Sequence, residues 1–237
     1  MTNPRRRLQP TQRREQLIDV GARLFAARPY HDVLMEEVAE QAGISRALLY
    51  RYFPNKRVLF AAIYRQAAGR LLADTPIDPA GSLLEQLSAG LDVHFDYFAA
   101  NKNTVLAANA ELTGDPVIQA IINDELAELR RRVLDATGLE GRARGVVSAA
   151  LTSWLVFVRA LCVEWLANGT FSRAELHDMC VGALRGALGA VTDVGRLLGA
   201  AGAGDPGDAD GRAAREIDPP FPPGIAPSTG SSRCLEL

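Results

Sequence analysis

The places where proline is missing decide the fold class of this chain. Residues 11–28, 30–53 and 117–205 contain none, and proline inside a helix removes a hydrogen bond and clashes with the preceding turn. Apolar residues recur in those windows at helical spacing. Residues 12–28 put Leu17, Gly21, Leu24 and Phe25 on one face, with Thr11 available as N-cap after Pro10. A short helix is expected from about 33 to 42, with Met35, Val38, Ala39 and Ala42 inward. Gly43 breaks it, and Ser45 can cap a third helix, Arg46 to Phe53. Pro54 and Asn55 end that helix, and a fourth begins near Lys56 with Leu59, Phe60 and Ile63 on its apolar side. After a break at 74–81, helices are expected over 82–100, 103–113, 117–137, 142–168 and 173–198. Ser172 and Glu175 stand in the positions of a capping box at the last of these, with Phe171 placed to staple onto Leu176. No alternating pattern of strand length competes, so the expected fold class is all-α.

With 48% hydrophobic residues the chain can bury a sizeable core. Its formal net charge of −2 conceals an asymmetry: residues 1–70 carry 13 Lys/Arg against 6 Asp/Glu, a balance of +7, and the remainder a balance of −9. A basic front end before an acidic body directs any polyanionic partner to the front, although chance segregation of solvated charge gives the same count. Three scattered cysteines, Cys162, Cys180 and Cys234, suit a reducing cytosol better than a disulfide framework. The basic start leads into no apolar stretch, so no signal peptide is expected. The most apolar run, Val146 to Leu166, includes Arg159 and Glu164 and reads as a buried helix of a soluble protein, not a membrane span. A cytoplasmic protein without membrane contact is expected.

A helix, a short helix, a glycine-centred turn and another short helix form the layout of a helix-turn-helix unit. Gly43 supplies the turn, Ile44 plugs the small core between the helices, and Ser45 caps the second one, leaving amide dipoles for a phosphate. Leu49 and Phe53 then face inward, and Arg46, Ala47, Tyr50 and Arg51 face out. Arginine can grip guanine with two hydrogen bonds, and Ala or Leu can touch a thymine methyl. Tyr50, Tyr52 and Lys56 have the reach for backbone phosphates. On residues alone, an ordinary helical corner with a solvated Arg/Tyr face fits nearly as well.

The run Val38-Ala-Glu-Gln-Ala-Gly-Ile-Ser-Arg-Ala-Leu-Leu-Tyr-Arg-Tyr-Phe-Pro-Asn-Lys-Arg-Val-Leu-Phe60 resembles the signature of the TetR family of bacterial transcriptional regulators. Leu24-Phe25 and Tyr30-His31-Asp32 stand where that family ends its first helix and begins its loop, so the resemblance covers about 12–65. It implies a dimeric repressor of double-stranded operator DNA, released when a small molecule enters a larger second domain. Carried over by position, Arg46–Tyr52 is the recognition helix, with Arg46, Ala47, Leu48 and Arg51 at base-reading or groove-lining positions. Tyr50, Tyr52 and Lys56 fall at phosphate-contact positions. One departure is Leu34, where the family commonly has Ser or Thr to cap the second helix and pair with Glu37. Leu34 can do neither, unless Asp32 takes over by starting the helix earlier, so weaker or differently anchored DNA binding is expected.

The expected architecture is thus a flexible basic arm at 1–11, a helix-turn-helix DNA-binding domain at 12–70, a larger helical effector-binding and dimerisation domain at 71–199, and a disordered Gly/Ala/Pro-rich tail at 200–237. In the second domain, Leu91, His94, Phe95 and Phe98, with Trp154, Phe157 and Trp165, offer a lining for an apolar or aromatic ligand, and His94 reads as a core histidine with its hydrogen bonds met. Ordinary core explains the same aromatic stripe. Residues 142–168 are apolar on nearly every face, which pairing with a second copy explains; Val158 and Leu161, with Cys180, Leu184 and Leu188 of the next helix, are the expected homodimer contacts.

Catalysis has no support in the motifs. There is no phosphate-cradling glycine loop, no nucleophile elbow and no zinc-spaced cluster, and His177 with Cys180 makes only two potential ligands. No cofactor, metal or catalytic residue is expected. The alternative from a different class is a helical dimeric scaffold or partner-binding protein without sequence-specific DNA binding.

Overall fold

The computed structural model describes residues 9–78 and 82–189. Among them nine α-helices follow one another: α1 (Pro10–Ala27), α2 (Met35–Gln41), α3 (Arg46–Tyr52), α4 (Lys56–Asp74), α5 (Leu83–Ala100), α6 (Lys102–Leu106), α7 (Pro116–Thr137), α8 (Gly141–Asn168) and α9 (Arg173–Gly189). A 3₁₀ turn, Tyr30–Asp32, joins α1 to α2, and a π-helical turn, Ala107–Glu111, continues α6. No strand occurs among the described residues. The basic arm up to residue 8, the tail from 200 and the end expected for α9 lie outside the described residues.

Two helices, α1 and α2, are capped differently from the sequence expectation. Helix α1 begins at Pro10, not after Thr11: a proline at the first helical position has its φ already set and no N–H to leave unpaired. Gln9 is the cap, and its own N–H donates to the Gln12 side chain at 3.1 Å. Helix α2 begins at Met35, because Asp32 is taken up in the 3₁₀ turn and does not start the helix early. At α9 the capping box forms as expected: Ser172 Oγ accepts from Glu175 N at 3.2 Å, and Glu175 accepts from Ser172 N at 2.7 Å.

The apolar interior divides into two clusters. In the first, α1–α4 pack Leu17, Phe25, Val38, Leu49, Phe53, Leu59 and Phe60, and the far side is closed by Ala107 and Ala108 of the π turn with Ile118, Ile121 and Ile122 of α7. Phe25, Tyr30 and Phe60 meet pairwise with ring centroids 5.1–5.6 Å apart. Gly21 lets α1 lie against α4, since a Cβ there would stand 2.7 Å from Ile63 Cδ1. The second cluster starts at Leu71 and gathers the inner faces of α5, the C-terminal half of α7, α8 and α9. Helices α4 and α7 belong to both clusters, and Leu126 packs against each. Two ties fasten the head to the body: Arg57 of α4 grips Asp115, which also caps α7 through Val117 N and Ile118 N, and Asn103 Nδ2 donates to Ala26 O at 2.9 Å.

Candidate functional site

The turn between α2 and α3 depends on backbone geometry. Gly43 sits at φ 66°, a left-handed conformation that costs a residue with a Cβ about 1–2 kcal/mol. Its N–H returns to Glu40 O at 2.9 Å, Ile44 N–H to Ala39 O at 3.0 Å, and the half-buried Ile44 packs on the first cluster. Ser45 then caps α3, accepting from Leu48 N at 3.3 Å. With Leu49 and Phe53 buried, α3 turns Arg46, Ala47, Tyr50 and Arg51 outward, while Leu48 and Tyr52 are half-buried at the edges of that face.

The outward side chains are not equivalent. Arg51 makes no hydrogen bond or ion pair among the described residues, so its guanidinium is available. Arg46 is paired with Glu36 of α2. That pair is exposed, and exposed pairs contribute about 0–1 kcal/mol, so a nucleic-acid base or phosphate can take the arginine at small cost. Lys56 corrects the sequence expectation of a free phosphate-binding side chain. Its Nζ donates to Tyr30 O (2.7 Å), Val33 O (2.9 Å) and His31 O (3.3 Å) and stands 4.5 Å from the Tyr30 ring centroid. All three protons are thus engaged in holding the loop before α2, and burial pushes its pKa down. What remains for a phosphate there is the N-terminus of α4, where Asn55 accepts from Val58 N at 3.0 Å. At α2, Glu37 accepts from Leu34 N at 3.0 Å and holds Arg28 with both oxygens, which draws the Glu37 carboxyl below its usual pKa. The reciprocal half of that box is missing, because the exposed Leu34 side chain has no acceptor for the helix amides.

The body contains a partly open cavity of about 260 Å³ between the C-terminal end of α4, α5, α7 and α8. Three residues expected from the sequence line it: Leu91, His94 and Trp154. The other four do not. Phe95 is closed into the core against Trp165, Phe98 lies behind His94 with ring centroids 3.9 Å apart, and Phe157 is on the outer surface. The remaining wall is largely aliphatic, with Leu71, Leu87, Leu126, Leu129, Leu155 and Val158.

Sequence reasoning missed the polar end of this cavity. Arg159 lines it and is only 8% exposed, as is its ion-pair partner Glu125, with Nη1 and Oε2 3.6 Å apart. Arg159 Nε donates to Asn109 Oδ1 at 2.8 Å, and Nη2 donates to the Tyr64 hydroxyl of α4. The π turn aims Asn109 at the arginine. Arg159 Nη1 itself has no hydrogen-bond partner, and neither has the buried His94 Nε2, so His94 is not the hydrogen-bonded core histidine expected. Burial, then the nearby Arg159 charge, lowers the His94 pKa to about 3, which leaves it neutral. The available signal was a single arginine inside the apolar run 146–166.

The expected dimer contacts are also corrected. Val158 lines the cavity, and Cys180, Leu184 and Leu188 are 0–1% exposed inside the chain's own second cluster, with Leu161 half-buried against it. The larger apolar stripe of each helix goes to the intrachain core, because that is where most area can be buried. The opposite stripe stays outside: Val146, Val156 and Phe157 on α8 are 39–56% exposed, and Met179, Gly182 and Gly186 of α9 are exposed too. By length and composition α8 could cross a membrane, yet its inner side carries the buried Arg159, paired with Glu125 of α7.

A short capped helix held outward on a glycine turn, with an arginine and a tyrosine free on its face, defines a helix-turn-helix regulator backed by a helical body. The model for "Bacterial regulatory proteins, tetR family" matches residues 17–63. An uncharacterized HTH-type transcriptional regulator of Mycobacterium tuberculosis is 34% identical over 158 residues, 60% of this chain and 74% of that protein. The Fatty acid metabolism regulator protein of Bacillus subtilis is 23% identical over 138 residues, 57% of this chain and 71% of that protein. The crystal structure of a tetR-family transcriptional regulator from Streptomyces coelicolor superposes with a TM-score of 0.71 at 24% identity, over 81% of this chain and 88% of that one, a likeness of fold. The chain belongs to the TetR family of bacterial transcriptional regulators.

Proposed function

We propose that this protein is a cytoplasmic repressor that binds a partly palindromic operator as a homodimer and leaves it when a small apolar molecule fills the cavity. The observation that carries this reading is the outward face of α3, with Arg51 unengaged and Arg46 held only by an exposed pair. Residues 12–70 form the DNA-binding domain and 71–199 the effector and dimerisation domain. Arg46, Ala47, Leu48 and Arg51 face base edges; Ser45, Tyr50 and Tyr52 serve phosphates, together with the amide end of α4 at Lys56. The chain has no catalytic role and needs no cofactor.

Dimerisation uses the outer stripe of α8 and α9, with Val146, Val156 and Phe157 covered by the same residues of a second copy. Gly182 and Gly186, where an added Cβ meets nothing within 4 Å, allow the two copies to approach closely. The two-fold axis sets the recognition helices about 34–36 Å apart or a multiple of it. Ligand entry is felt by α4, which contributes Leu71 to the cavity wall and hands Tyr64 to Arg159. Because Tyr64 stacks on Phe60 in the head, a shift of Arg159 moves the head relative to its twin. A coupling of about 1–3 kcal/mol weakens operator binding roughly 5- to 150-fold.

Selection of genomic fragments by the full-length protein tests this reading. Inverted repeats and an affinity falling steeply with salt are expected, with Arg51→Ala costing about 1–3 kcal/mol at one base position. Dimers that enrich no sequence and bind without salt dependence overturn it.

A further inference from the structure

We infer that the molecule filling this cavity is compact, apolar and uncharged, and that it carries one carbonyl or hydroxyl oxygen seated between Arg159 Nη1 and His94 Nε2. The inference rests on the cavity being the effector site. Both nitrogens are buried and lack a hydrogen-bond partner, and both residues line the same space. Phe98 holds them together, with the His94 ring 3.9 Å from its centroid and the Arg159 guanidinium carbon 5.9 Å from it. Buried polar atoms are costly to leave without a hydrogen bond, so a largely apolar cavity whose lining residues carry two of them selects a ligand that supplies the match. Arginine can only donate, so the ligand atom nearest Nη1 is an acceptor. Neutral His94 donates to a carbonyl or accepts from a hydroxyl, according to its tautomer.

Charge decides between a neutral oxygen and a carboxylate. Arg159 is already balanced by Glu125 at 3.6 Å, with both side chains about nine-tenths buried. His94 supplies no second positive charge. Asp74, a further acid, also lines the cavity. A ligand carboxylate therefore adds a like charge beside Glu125 in a low-dielectric space, which is strongly unfavourable. Size points the same way: about 260 Å³ lies just below the range of roughly 300–1,000 Å³ usual for drug-sized ligands, which favours a compact molecule.

A matched series on one carbon frame tests this with the full-length protein: n-butylbenzene, 4-phenyl-2-butanone, 4-phenyl-1-butanol and 4-phenylbutanoate. Trp154 lines the cavity, and its fluorescence reports occupancy. The ketone or the alcohol should bind on the order of tenfold more tightly than the hydrocarbon, and more tightly than the carboxylate. His94→Phe should erase that preference, read as the ratio of ketone or alcohol affinity to hydrocarbon affinity in the same variant; because Glu125 loses nothing in this variant, it is a safer test of the site than any change at Arg159. The inference is overturned if the carboxylate binds most tightly, if the hydrocarbon equals the ketone and the alcohol, if His94→Phe leaves the preference intact, or if none of the four binds at its solubility limit. Tight ketone or alcohol binding without any change in operator affinity would instead keep the head-group assignment and break the effector reading.

Discussion

In the head, Phe25, Tyr30 and Phe60 fill the space between α1 and α4, Lys56 spends every proton on the loop before α2, and the unengaged polar groups are on the outside, along α3. In the body the arrangement is reversed. Helices α5, α7 and α8 leave about 260 Å³ unfilled, and two nitrogens without hydrogen-bond partners are on the inside. A rigid, satisfied interior holds a reading surface at fixed geometry. An incomplete interior is poised to respond when something completes it, since a ligand shifts an equilibrium only through interactions it makes better in one state. The two regions meet on α4, which carries Phe60 and Tyr64 for one and Leu71 for the other.

The sharpest way to break this contrast is to add volume on each side. At Gly21 a Cβ already stands 2.7 Å from Ile63 Cδ1, and at Gly90, which lines the cavity, it meets nothing within 4 Å. Gly21→Leu should destabilise the protein by about 1–3 kcal/mol through overpacking. Gly90→Ala, in a helix interior, should be stabilising by about 0.5–1 kcal/mol while narrowing the cavity. Chemical denaturation of both variants measures this, and equal losses at the two sites would mean the body is as tightly filled as the head.

A second test uses the unsatisfied histidine. In the folded chain His94 is held to about 3, against an ordinary 6.5. Between those values the unfolded chain binds a proton that the folded one refuses, so the His94 contribution to stability is full above about 6.5 and is lost as pH falls. The limiting slope is about 1.4 kcal/mol per pH unit. Urea unfolding at pH 7 and 5.5 should show wild type losing about 1 kcal/mol more than His94→Phe. Parallel losses would mean that His94 reaches solvent or a partner.

Much of the head was legible because its signals are local. The glycine turn, the Ser45 cap and the four-residue spacing of Leu49 and Phe53 each act within one or two helical turns. Lys56 was misjudged because its acceptors are carbonyls 23–26 residues earlier, which no helical pattern reveals. The body was legible as helices and poorly as a site. Helix α8 carries two apolar stripes, and period alone does not say which goes to the chain's own core; the stripe with Leu151, Trp154, Leu155 and Val158 did, and the stripe with Val146, Val156 and Phe157 was left outside. The Arg159 cluster was beyond reach of pattern, since Tyr64 and Asn109 come to it from 95 and 50 residues away.

The smallest expected effect tests whether the head is as complete as its core suggests. Glu37 accepts from Leu34 N at 3.0 Å, but Leu34 returns nothing to the amides that open α2. Leu34 is 54% exposed, so replacing it removes little buried apolar surface. Leu34→Ser would supply the missing acceptor, close the capping box and add a hydroxyl beside the DNA-facing edge. The gain should fall toward the low end of the range of about 0.5–2 kcal/mol for such caps, because Glu37 already fixes one half and Arg28 steadies it. Stability of the variant and its affinity for the selected operator should rise together. A rise in stability alone would place Leu34 away from the phosphates, and no rise in either would show that Glu37 and Arg28 already hold the start of α2 as firmly as a full box.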